Sequence, residues 1–250
     1  MKLRNNGLCG VIAALAIGGI FANPASAGDK KVGAVKRADL PKGAIVLFDG
    51  TEKSLTDNWV KRRSTTAKPE WILKAGAMMP KASDITTKQE FGDFHLHLEF
   101  NVPFLPNNHG QARGNSGIGI HGRYEIQILD SYGAAIPGSG DCGAVYSRVA
   151  PLVNATLPPK TWETYDIMFR APRFEGDKVT QNPRVTVILN GQIVQNNTEI
   201  PGMTGIQFEQ YKSMAATGPI VLQDHGYPVQ FRNVWIVPLP AKGSDLYEAK

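Results

Sequence analysis

Three stretches of the 250-residue chain hold side chains able to move protons or grip a polar ligand. The first is Arg113-Gly114-Asn115-Ser116-Gly117, which runs through Ile118-Gly119-Ile120-His121-Gly122-Arg123. Glycines at 117, 119 and 122 clear one side of a strand, which admits a ligand or another backbone; close sheet packing explains them equally well. The second is Tyr124-Glu125-Ile126-Gln127-Ile128-Leu129-Asp130. Period-two alternation sets Glu125 and Gln127 side by side on one face, with Asp130 near the end. A carboxylate beside an amide on a concave sheet can bind sugar hydroxyls or act as a general acid or base. The competing reading is that Glu125 only pairs with Arg113 or Arg123. The third stretch is Gln223-Asp224-His225-Gly226, followed by Val229-Gln230-Phe231-Arg232-Asn233. Here a strand end meets a turn, from which a histidine either enters a cleft or bonds to backbone. Its imidazole is the group best matched to proton transfer near neutral pH.

A fourth pattern is metal-like. His95 and His97 share one face of the run Phe94–Phe100, and Glu99 could serve as a third ligand. An ordinary solvent-facing strand produces the same alternation more often. The sequence requires no cofactor and leaves a divalent cation undecided. It contains no phosphate-binding loop, His-Glu-x-x-His, Gly-x-Ser-x-Gly or dinucleotide-binding glycine pattern.

These groups need strands to position them, and strands dominate after residue 44. Phe94–Phe100, Tyr124–Asp130, Trp162–Arg170, Arg184–Leu189, Pro219–Gln223 and Val229–Val237 all read as strands. Asn190-Gly191 predicts a tight hairpin, because both residues tolerate positive φ. No segment beyond the N-terminal leader sustains a helical period. The 26 glycines and 17 prolines suit many turns. Long loops are expected at Pro103–Gly117, Arg170–Pro183 and Pro201–Gly218, the places where a rigid sandwich commonly carries function.

The leader has a basic start (Lys2, Arg4), an apolar run from Leu8 to Phe21, and Ala25-Ser26-Ala27, the pattern of an export signal cut after Ala27. Its apolar run is too short to span a bilayer comfortably. Cleavage leaves 25 basic against 22 acidic residues, a formal charge of about +3, and Cys142 as the one cysteine. No internal disulfide can then form. Several of the remaining basic residues lie in a polar lead-in at 28–44, which argues against a nucleic-acid partner. The expected organisation is a signal at 1–27, that lead-in, and one β-sandwich over 45–240. The exported protein would be periplasmic or extracellular, without a membrane attachment after cleavage.

In chain order, several motifs resemble one family. They are Phe48-Asp49-Gly50-Thr51, Gly114-Asn115-Ser116-Gly117-Ile118, Tyr124–Ser131, Gly143-Ala144-Val145-Tyr146, Trp162-x-Thr164-Tyr165-Asp166-Ile167, Leu189-Asn190-Gly191, Gly218–Gly226 and Val229-x-Phe231-Arg232-Asn233-Val234-Trp235. Together they look like the 3-keto-disaccharide hydrolase domain, over about residues 45–238. Gly119 and His121 depart from it, since relatives often carry bulkier or different side chains there.

The resemblance implies an all-β, concanavalin A-like jelly-roll sandwich and a carbohydrate ligand. It implies cleavage of glycosidic bonds in sugars already oxidised at C3. A C3 ketone acidifies the C2 proton, so a base can remove it, the C1 substituent leaves, and water adds across the enone. Such a site needs a base, an acid and an enolate stabiliser, not two carboxylates at a fixed separation. Glu125, His225 and, more weakly, Asp130 are the candidate catalytic residues; Arg113, Asn115, Gln127, Tyr146 and Gln223 are the candidate sugar contacts. The alternative is a non-catalytic carbohydrate-binding module, with Trp59, Trp71 and Tyr132 as stacking platforms. A laminarinase-like hydrolase ranks last, because Gln127 stands where a second carboxylate would be wanted.

Overall fold

In a computed structural model, residues 40–205 and 211–242 are described. The leader and most of the polar lead-in fall outside them, as do residues 206–210 of the third long loop. The described strands are β1 (Ile45–Phe48), β2 (Trp59–Lys61), β3 (Ile72–Lys74), β4 (Ala77–Met79), β5 (Ile85–Thr87), β6 (Phe94–Asn101), β7 (Ser116–Ile120) and β8 (Tyr124–Ile128). They continue as β9 (Glu163–Arg170), β10 (Arg173–Glu175), β11 (Lys178–Gln181), β12 (Arg184–Leu189), β13 (Gln192–Glu199), β14 (Val221–Leu222) and β15 (Gln230–Pro238).

They form an antiparallel sandwich of the concanavalin A-like jelly-roll class. One sheet has the order β13-β12-β9-β6-β15-β4-β3, with β1 also on β15; the other runs β2-β5-β14-β7-β8. The alternation in β6 dictates the packing. Phe94, Leu96, Leu98 and Phe100 are fully buried, as are Tyr165, Ile167 and Phe169 of β9. These residues meet Ile118, Ile120, Ile126 and Ile128 from the five-stranded sheet in one apolar cluster. Each such side chain removed from water contributes about 1.5–3 kcal/mol. Tyr165 also crosses the core: its hydroxyl donates to the Gln127 carbonyl at 2.7 Å and lies 3.1 Å from Cys142 Sγ. A strand of the large sheet thereby braces the strand that carries Glu125.

Asn190 and Gly191 take φ of 51° and 80° between β12 and β13, the expected tight hairpin. Two expectations need correction. A short helix, α1 (Glu52–Asn58), follows β1. Its start is fixed by Thr51, whose hydroxyl accepts from the Ser54 amide at 3.1 Å, and Asp49 in turn holds Thr51. Seven residues are too few to show a period, so the cap defines this helix. The second correction is that Arg170–Pro183 is no plain loop, since it contains the β10–β11 hairpin. No described helix is long and apolar enough to cross a membrane.

Candidate active site

The five-stranded sheet has a polar face turned away from the core. Register places Gly119 opposite Glu125, and Gly117 opposite Gln127. Val221 of β14 pairs with Gly119 on one side and with Thr86 of β5 on the other. Gln223, just past β14, donates its amide to the Gly117 carbonyl at 3.1 Å. One face therefore carries Glu125, Gln127, Gly117, Gly119, Gln223 and Thr86. Every residue of β7 and β8 is buried, so this alternation marks a covered floor, not a solvent face.

Gly117 is the residue that makes room. A Cβ at that position would lie 2.5 Å from both Gln223 Oε1 and Glu125 Oε1. The two side-chain tips thus converge over one point that only glycine leaves open. Gln127 adjoins them. Its amide is best satisfied with the nitrogen turned toward Glu125, 3.1 Å from Glu125 Oε1 and 3.0 Å from the Ser116 carbonyl. The Gln111 side chain stands 2.8 Å from the same amide, and Asn115 Nδ2 donates to Gln111 at 3.2 Å.

His225 sits exposed on the turn after Gln223, and its Nε2 lies 3.1 Å from Gln223 Oε1. An amide oxygen only accepts, so the imidazole donates there. Gln223 Nε2 is buried with no hydrogen-bond partner. Gln223 and His225 line a cavity of about 360 Å³ together with Arg62, Arg63, Ser83, Asp84 and Asp224. Arg62 is ion-paired to Asp84 at 2.5 Å, and the Asp224 amide donates to the same carboxylate at 2.8 Å.

The other candidates lie around this centre. Tyr146 is half-buried, and its backbone N–H donates to the Glu125 carbonyl at 3.0 Å. Arg113 pairs with buried Asp130 at 3.0 Å, and Asp130 also accepts from the Tyr132 amide at 3.2 Å. The hydrogen bonds of the Asp130 carboxylate thus lead to Arg113 and its own turn. Arg123 donates to the Ser213 and His121 carbonyls and lies 4.2 Å over the Tyr211 ring. The contacts of Arg113 and Arg123 thus run to Asp130, to two backbone carbonyls and to the Tyr211 ring.

The metal-like pattern is corrected. His95 and His97 share a face, but both bond to Asp166 Oδ1 at 2.9 Å. Glu99 instead accepts from Arg232 at 2.6 Å and from Asn233 at 2.9 Å. Among the described residues, no three His, Cys, Asp or Glu side chains are placed to hold a metal ion. Two proposed stacking platforms are corrected as well. Trp59 and Trp71 are 0% and 5% exposed, with their indole N–H groups on the Leu47 and Ser83 carbonyls. Tyr132, 50% exposed, stays on the surface.

Residues 43–237 match the model of the 3-keto-alpha-glucoside-1,2-lyase-like domain. The chain belongs to this family. A solved candidate glycosyl hydrolase from Parabacteroides distasonis ATCC 8503 is 38% identical, with a TM-score of 0.69 over 80% of this chain and 85% of that one. A second from the same organism is 20% identical, with a TM-score of 0.60 over 83% of this chain and 99% of its own, and supports the fold alone. No curated protein matches the chain. Family and fold together support a carbohydrate-active role.

Sequence reasoning missed Gln111, Arg62, Arg63 and Asp84. Gln111 lies in the long loop just before Arg113, whereas Arg62, Arg63 and Asp84 come from segments remote from the motif strands and carry no local pattern, so only the tertiary fold brings them to the site.

Proposed function

We propose that the chain is an exported enzyme that cleaves 3-keto-glycosides by elimination across C1 and C2, with water addition completing net hydrolysis. The convergence of Glu125 and Gln223 over Gly117, with His225 bonded to Gln223, carries this reading. The Glu125 carboxylate removes the C2 proton, whose acidity the C3 ketone supplies. The electron pair enters the enolate, and the unsatisfied Gln223 Nε2 donates to its oxygen. The C1–O bond then breaks, and the leaving oxygen takes a proton from His225. Addition of water at C1 of the resulting enone returns the free 3-keto sugar. Gln127, beside Glu125, orients the ring, and Asn115, Arg113 and Tyr146 are the further sugar contacts of this reading.

The test is incubation of the protein lacking residues 1–27 with 3-keto-trehalose, following monosaccharide release and enone absorbance. A substrate deuterated at C2 should show a primary isotope effect, well above the small secondary effect that ordinary glycoside hydrolysis gives at that position. Glu125→Gln should lower turnover about 10²–10⁴-fold with the fold intact. Wild-type turnover in both Glu125→Gln and His225→Ala would sink the assignment. Binding of sugars without any turnover would favour the carbohydrate-binding module, a reading weakened by burial of Trp59 and Trp71. Recovery of the mature chain outside the cytoplasm, cut after Ala27, would test the export.

A further inference from the structure

β8 ends the small sheet, so the backbone groups on its outer edge find no partner strand. Those groups are buried, and buried N–H and C=O groups must be paired. The segment around Val145 closes most of the edge. The Gln127 amide donates to the Ala144 carbonyl at 3.0 Å, the Gly143 amide to the Gln127 carbonyl at 3.1 Å, and the Tyr146 amide to the Glu125 carbonyl at 3.0 Å. Past Tyr146 that segment turns away, with the Ser147 amide on the Ser139 carbonyl at 2.9 Å. The Glu125 amide donates instead to a side chain, the Thr204 hydroxyl, at 2.7 Å.

Thr204 lies 79 residues further along the chain, in the long loop over 201–218, and is fully buried. Its amide donates to the Arg123 carbonyl at 2.9 Å, and its hydroxyl lies 3.4 Å from the same oxygen. One hydroxyl can accept from residue 125 while donating to residue 123. Because threonine is stiff at χ1, that hydroxyl is held in few positions. The loop is anchored on either side of it. Arg148 donates to the Met203 carbonyl at 2.8 Å, and Arg123 Nε donates to the Ser213 carbonyl at 2.7 Å. The main chain of Glu125 is therefore set by β7 on one side and by Thr204 on the other, and its carboxylate has little slack over Gly117.

We propose that Thr204 is the positioning residue of the proton-abstracting carboxylate. It holds the Glu125 main chain without touching substrate, and it makes the 201–218 loop part of the catalytic unit. The inference rests on the elimination reading above and adds a residue outside every motif of the sequence.

The experiment measures kcat and KM on 3-keto-trehalose, protonated and deuterated at C2, for wild type, Thr204→Val and Thr204→Ser. Valine keeps the shape and removes the hydroxyl; serine keeps the hydroxyl. Thr204→Val should lower kcat about 10–100-fold, as a displaced catalytic group does. Its KM should stay within about twofold of wild type, and Thr204→Ser should restore kcat to within about threefold. The isotope effect on kcat in Thr204→Val should be at least as large as in wild type, because proton abstraction is the step that slows. Wild-type kcat in Thr204→Val, equal losses in both variants, or a smaller isotope effect would overturn the positioning role. Hydrogen exchange on the wild-type protein gives a check that needs no variant to fold: the Glu125 amide should be strongly protected, and exchange at the rate of an open chain would overturn the inference. Wild type inactive on 3-keto-trehalose would instead remove the elimination reading, and this inference with it.

Discussion

The two sheets each carry a face with alternating polar residues, and the two faces hold their charged groups differently. On the outer face of the large sheet, the charged groups satisfy one another. Asp166 takes both histidines, Glu99 takes Arg232 and Asn233, Trp235 stacks on His97 at 4.8 Å, and Arg232 lies 3.9 Å over Trp162. On the small sheet, Gly117 leaves a gap in which Glu125 and Gln223 converge, and Gln223 keeps an unpaired donor. A buried unsatisfied donor costs about 1–3 kcal/mol unless a ligand pairs with it. Residue types on a strand therefore say less about function than the surroundings in which the fold sets them.

The sharpest break of this contrast is in activity. Glu125→Gln should nearly abolish turnover, whereas Asp166→Asn on the other face should leave kcat/KM at the wild-type value. Comparable losses from both would show that the two faces do not differ functionally.

Gly117→Ala asks whether the gap itself matters. The added methyl would sit 2.5 Å from both Gln223 Oε1 and Glu125 Oε1, so both side-chain tips must move. A displacement of about 1 Å at such a centre costs about 10²-fold in kcat/KM. The accompanying loss in stability should be about 1–3 kcal/mol, as in other overpacked sites, measured by urea unfolding. Alanine at 117 with unchanged activity would mean that the convergence of these two side chains is incidental.

Between the sheets lies a group that belongs to neither function. His121 is fully buried, with Nε2 3.1 Å from the Gly92 carbonyl and Phe169 packed edge-on at 4.8 Å. Desolvation lowers its pKa from 6.5 to about 4, with the Arg123 charge adding to the effect against hydrogen bonds that favour protonation. The unfolded chain takes up this proton as pH falls below 6.5, while the native state resists until about 4. Stability is thus full above pH 6.5 and declines through that window, by about 3 kcal/mol for this one group. His121→Asn tolerates the residue's φ of 53° and carries no titrating ring. Urea midpoints between pH 4 and 6.5 should flatten in this variant; an unchanged slope would place the acid sensitivity elsewhere.

Much of the fold was readable because β6, β9 and β12 each bury one face, and burial writes period two into the sequence. The β10–β11 hairpin was not, since Arg173–Gln181 is largely exposed and has no apolar face to alternate. α1 was missed because a cap, not a stripe, defines it. At the candidate site, the shared face of Glu125 and Gln127 follows from spacing alone. What covers that face does not: Arg62 and Asp84 arrive through strand order and loop paths, which leave no trace in local pattern. Trp59 and Trp71 show the converse, since aromatic residues suited to a sugar platform became core once β2 and the stretch before β3 were placed. Glu163 is similar. This carboxylate, buried at the start of β9, accepts from the Leu157 amide and Asn190, and desolvation raises its pKa to about 7, features that no neighbouring residue announces.

The smallest expected effect is the stability of the paired face. Burial opposes ionisation of Asp166, yet the hydrogen bonds and charges of His95 and His97 outweigh it and hold the carboxyl well below the usual carboxylate range. The side chains remain 15–31% exposed, so solvent screens much of this attraction. A depressed carboxylate contributes stability that is present above its ordinary pKa of 3.8 and lost as pH falls through the lowered value. Asp166→Asn should therefore cost less than about 1 kcal/mol at pH 7, and the difference from wild type should shrink in strong acid. Because the same substitution is expected to spare activity, urea unfolding and turnover on one protein sample test both halves of the contrast. A cost of several kcal/mol would mean that this face is a structural keystone, held by a network stronger than exposed ion pairs supply.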